Sequence, residues 1–134
     1  MATQFQKLPV PGFTYPTAAY TDPEILYSTA AFTQKGVTLG SGQGVLAAGT
    51  VLGQKTADKK YYAYSNANAD GTQVARGVLR FGVDTSTVVS AANDQLGNIV
   101  IQGILNYPLI VGADAAALTD LGATVDTVRG TMKL

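Results

Sequence analysis

The chain has 134 residues, enough for one domain with a sizeable core. Nine basic and nine acidic residues cancel, and charged residues make up only 13%, so no overall field draws the chain to nucleic acid or to an anionic membrane. With no cysteine and no histidine, a disulfide scaffold is excluded, and the usual imidazole base and commonest metal ligand are missing. An average soluble domain carries about 25% charged residues. A surface covered instead by Thr, Ser, Asn, Gln, Gly and Ala suits a protein that works docked on a partner, a low-charge monomer being the other option.

Residues 1–33 differ from the rest. The start, MATQFQKLPVPG, has no apolar h-region, so no secretory signal is expected. Pro9, Pro11, Pro16 and Pro23 each remove a backbone donor and push the preceding residue toward extended backbone. Six aromatics accompany them: Phe5, Phe13, Tyr15, Tyr20, Tyr27 and Phe32. An ordinary disordered linker is poor in aromatics. The segment reads as an extended arm that lies on another surface, or else wraps its own domain. Phe5, Leu8, Val10, Phe13 and Tyr15 are its candidate contact residues, through strand addition or insertion into apolar grooves. Asp22 as N-cap and Pro23 at the first helical position predict a brief helix.

The following residues read as short strands. Residues 35–39 put Val37 and Leu39 on one face. The cluster Gly40-Ser41-Gly42-Gln43-Gly44 is a turn. Residues 45–52 are apolar, with a bend or close backbone approach at Gly49-Thr50. After a polar loop, residues 61–64 form a strand with Tyr62 and Tyr64 on one face and Tyr61 on the other. Asp70-Gly71 supplies a turn. The clearest strand is residues 74–83, with Leu79, Phe81 and Val83 on its apolar face. An irregular connection covers 84–97, and a β-branched strand covers 98–105. The apolar stretch 99–111 is interrupted by Gln102, Gly103, Asn106 and Pro108, well short of the about 20 residues that span a bilayer. Asp114 caps a helix over 115–121, Gly122 ends it, and 123–134 reads as one closing strand.

None of the polar groups assembles a reaction site. The glycine cluster lacks the helix and the Gly-Lys-Ser/Thr of a phosphate loop. Glu24, Asp58, Asp70, Asp84, Asp94, Asp114, Asp120 and Asp126 form no defensible pair, no calcium-loop spacing occurs, and no G-x-S-x-G elbow occurs. Tyr61, Tyr62 and Tyr64 beside Lys59 and Lys60 have the residue types of a base-stacking platform, against which the zero net charge weighs. No catalytic, cofactor-binding or metal-binding residue is therefore assigned, and no cofactor.

The middle of the chain resembles one family. The residues are Val37-Thr38-Leu39, the glycine cluster 40–44, Ala48-Gly49-Thr50-Val51-Leu52-Gly53, Tyr61 to Tyr64, Asp70-Gly71, Ala75-Arg76-Gly77-Val78-Leu79 and Asn106-Tyr107-Pro108. Spanning roughly 36–110, they are similar to the lambda-type head decoration proteins of tailed bacteriophages. The resemblance implies a mostly β fold: a small β-clip-like domain of short strands with one or two short helices and an extended N-terminal arm. It implies a homotrimer at the local three-fold axes of an expanded head, partnered by the major capsid protein and reinforcing the shell against packaged DNA. The place implied is the outer surface of the virion capsid, after synthesis in the host cytoplasm. The division is an arm over 1–33 and a trimer-forming domain over 34–134. No nucleic acid, membrane or small-molecule substrate is expected. The arm is long and aromatic for the family, so its contact residues rest on the residues themselves. The alternatives are a trimeric β-clip nucleotide hydrolase, whose motifs are missing, and a tail or fibre adhesin module.

Overall fold

The computed structural model describes residues 23–29, 31–86 and 94–134. Its strands are β1 (Thr33–Leu39), β2 (Val45–Leu46), β3 (Val51–Gln54), β4 (Tyr61–Ala63), β5 (Ala75–Leu79), β6 (Val83–Asp84), β7 (Gln95–Gln102), β8 (Ile104–Asn106), β9 (Thr124–Asp126) and β10 (Thr131–Lys133). A 3-10 turn (Tyr107–Leu109) and one helix, α1 (Ala115–Leu121), complete the described elements, so the fold is mostly β as the sequence predicts. Five strands close a barrel in the order β1-β4-β3-β5-β7. A three-stranded sheet, β8-β10-β9, and a two-stranded ribbon, β2-β6, lie beside it.

Each barrel strand sends a side chain into one apolar cluster. Leu39, Leu52, Tyr61, Leu79 and Ile99 meet there, joined by Val37 and by Leu46 of β2. A second cluster lies on the other face of β3, β5 and β7. Val51, Val78 and Val100 stand there against Ala117 of α1, Leu105 of β8, Met132 of β10, and Ile25 and Leu26. Adjacent residues of β5 and of β7 are thus both buried, each feeding a different core.

The barrel seam is its thinnest part. β1 runs beside β7 over seven registered pairs but is registered with β4, in parallel, at one pair, Leu39 and Tyr61. The Gln43 side chain fills the gap. Its Nε2 donates to the Gly40 carbonyl (2.6 Å) and the Tyr61 carbonyl (3.2 Å), and its Oε1 accepts from the Ala63 N–H (2.8 Å). One side chain therefore stands in for a missing stretch of strand. The bend at Gly49 is real: its φ is +91°, and a Cβ there would collide with the Leu109 carbonyl oxygen.

Several expectations are corrected. Residues 23–29 hold no helix. Their backbone pairs with β8 instead, the Tyr27 N–H donating to the Ile104 carbonyl (2.8 Å) and Ile25 accepting from the Asn106 N–H (2.7 Å). That pairing buries both Ile25 and Leu26, adjacent side chains that a short surface helix would turn in different directions. The strand assigned to 74–83 ends at Leu79. Phe81 follows in a bend and is 42% exposed, so it is not a core residue. The strand assigned to 98–105 begins earlier, at Gln95, and breaks at Gly103, whose φ of +146° carries the chain into the second sheet. Tyr64 lies past β4 and is buried in the second core rather than sharing a face with Tyr62. The tail is a hairpin of β9 and β10 with Gly130 (φ +67°) in its turn, not one strand. Helix α1 and both of its ends follow the sequence. Asp114 accepts from the Ala117 N–H (2.8 Å), and Gly122 is left-handed at φ +62°.

Candidate assembly surface

The five arm residues predicted to touch a partner, Phe5, Leu8, Val10, Phe13 and Tyr15, lie outside the described residues. What is described is the chain from Pro23 onward, which packs against Arg80. Glu24 accepts from the Leu26 N–H through Oε1 (3.1 Å), and its Oε2 lies 3.5 Å from Arg80 Nη2. Arg80 Nη1 donates to Gln34 Oε1 (3.0 Å). The rings of Phe32 and Phe81 pack against the same guanidinium, their centres 4.8 and 4.7 Å from Cζ. Rings at this range attract a guanidinium by about 0.5–2 kcal/mol each. Sequence reasoning missed this cluster, because no short-range pattern links Glu24 and Phe32 to Arg80.

The tyrosines are spent on the fold. Tyr61 is buried in the barrel. The Tyr62 ring covers Gly40, its hydroxyl donates to Asp58 Oδ2 (2.8 Å), and Lys55 Nζ sits 5.1 Å from its centre. Tyr64 donates to Asp114 Oδ1 (2.9 Å), and its hydroxyl is pushed up to about 12 by burial first and by Asp114 second. No stack of open rings is left among these three.

The carboxylates are spent likewise. Asp58 accepts from the Lys60 N–H, which with Tyr62 and nearby lysines lowers its pKa. Asp70 accepts from the Thr72 hydroxyl and N–H, and its pKa is lowered by both. Asp94 pairs with Lys60 at 2.6 Å, lowering the acid and raising the lysine. Asp84 accepts from the Ser86 N–H, Asp120 from the Ala75 N–H, and Asp126 from the N–H groups of Val128 and Arg129. A general base needs a pKa raised toward neutrality, and the aspartate shifts found here run the other way. Among the described residues no three potential ligands group for a metal. An open groove of about 430 Å³ beside Phe32 and Gly103 brings one ionisable side chain, Lys133. The glycine cluster 40–44 leads into β2, not into a helix, so it is a turn.

Apolar side chains are what the surface does present. Leu96, Val45, Tyr27, Val111, Ile101 and Val128 are exposed, Leu96 to 82%. Among the described residues no helix is long and apolar enough to cross a membrane. The family model of the bacteriophage lambda head decoration protein D matches residues 16–125, the greater part of the chain. The chain belongs to that family. It is a bacteriophage head decoration protein, a structural protein associated with the virion capsid. The match begins at Pro16, so the five arm residues precede it. No curated protein and no solved structure matches this head decoration protein.

Proposed function

We propose that the protein binds the outer surface of an expanded phage head, as homotrimers at the local three-fold axes, and stiffens the shell against packaged DNA. The observation that carries this reading is the family match over 16–125. The structure is in keeping with it, since Tyr61, Tyr62 and Tyr64 and the aspartates among the described residues are engaged in holding the fold while apolar side chains such as Leu96 and Val45 remain exposed. The partner is the major capsid protein, and the reading needs no nucleic acid, membrane or small-molecule substrate. The anchor is the N-terminal arm, through Phe5, Leu8, Val10, Phe13 and Tyr15. The sequence draws the arm over 1–33 and the trimer-forming domain over 34–134. Because Ile25 and Leu26 sit in a core, the shell-contacting part is assigned upstream of Pro23.

Deleting residues 2–16 tests this. The deleted chain should melt with the parent, since every described core residue is retained, and should lose most of its co-sedimentation with expanded shells. The parent should prefer expanded shells to unexpanded ones, with three-fold density in cryo-microscopy. Parental affinity in the deleted chain would remove the arm as anchor. A parent that ignores expanded shells would overturn the whole reading.

A further inference from the structure

We infer that Arg80 is a positioning residue for the N-terminal segment: its guanidinium clasps residues 24–34 onto the end of β5 and fixes where the chain enters the domain. Its consequence for shells rests on the arm-anchor reading above; the clasp itself does not.

Arg80 is the first residue after β5, and its N–H donates to the Asn98 carbonyl (2.8 Å), so its backbone is fastened to β7. From that fixed point one side chain holds three places on the incoming chain. Nη2 meets Glu24 (3.5 Å), Nη1 meets Gln34 (3.0 Å), and the guanidinium lies against Phe32. Phe81 backs it from the other side of the sequence. Glu24 is tied in turn to Leu26 through Oε1, and its carbonyl accepts from Asn106 Nδ2 (3.3 Å). The Arg80 side chain is only 16% exposed, and its Nε is buried with no hydrogen-bond partner among the described residues. Leaving a buried donor unmet is unfavourable, a cost that the two Nη contacts and the two flanking rings offset. A guanidinium is needed for this. It stacks and forks at once, whereas an ammonium is a point charge without a plane. Glu24 follows Pro23, where the described chain begins, so the clasp acts at the start of the described chain.

The test uses the full chain with Arg80→Lys and Arg80→Ala. In the free protein, hydrogen exchange at the amides of Leu26, Tyr27 and Gln34 should quicken at least tenfold in both variants, while those of Leu52 and Val78 stay at parental rates. Affinity for expanded shells should fall about tenfold, and in a chain lacking residues 2–16 Arg80→Ala should lower it no further. If Arg80→Ala does not fold, Arg80→Lys decides. Unchanged exchange at residues 26–34 overturns the clasp, as does an equal rise in the barrel amides, which makes Arg80 a general stabiliser. Local loosening with parental shell affinity also overturns the positioning role, provided the 2–16 deletion does weaken binding. If that deletion binds like the parent, the arm-anchor reading has failed, and exchange alone judges the clasp.

Discussion

Tyr64 places its ring in the second core and its hydroxyl on Asp114, the residue that also caps α1. Its pKa stands at about 12 in the folded chain against an ordinary 10, burial being the larger cause. The unfolded chain therefore ionises Tyr64 first as pH rises. The stability that this residue contributes is complete below pH 10 and is lost between pH 10 and about 12. Tyr64→Phe should give a shallower alkaline limb in urea midpoints measured from pH 8 upward, with Tyr62, also raised by its bond to Asp58, keeping its own share. An unchanged limb would mean that Tyr64 titrates normally. The aspartates act at the opposite end. Asp58, Asp70, Asp84, Asp94 and Asp114 are all lowered, so their contribution holds above the ordinary value of 3.8 and fades as pH falls through their folded values. The sequence shows Asp114 and Gly122 as helix ends because both jobs are local. It cannot show the Tyr64 hydroxyl reaching Asp114, which depends on how two distant segments pack.

Strand β5 carries the sharpest contrast between neighbours. Leu79 is fully buried inside the barrel, Val78 is fully buried on the opposite face, and Phe81 is 42% exposed beyond the strand's end. Leu79→Ala should therefore cost about 2–5 kcal/mol, a large share of a total of about 5–15. Phe81→Ala should cost about 1, the share of its ring against Arg80. Thermal melts of the two variants check this, and equal losses would return Phe81 to the core. Period-two alternation locates β1, whose outer face is open, but misreads β5 and β7, which are covered on both faces. The missing first helix has a similar cause. Asp22-Pro23 is a sound start signal, yet β8 offers backbone partners that residues 25–27 take up. Gly103 and Gly130 were visible as glycines, but only the paired strands on either side show that they are turning points.

On the scale of the whole molecule, the mostly β architecture was legible from glycine-punctuated short strands, and the family from an ordered series of short pieces. The barrel's strand order was not, because it joins segments far apart in the chain. β1 finds nearly all of its ladder on β7, and the second core is closed by Met132 near the end of the sequence. Pairing across such separations must await closure of the long intervening loop. A chain ending at residue 94 should accordingly show no cooperative thermal transition; a sharp melt in that fragment would mean that β3, β4 and β5 fold without β7. On that expectation, the barrel closes during translation only once β7 has left the ribosome. A copy interrupted before β7 should accordingly stay open to proteases, which limited proteolysis of the fragment checks.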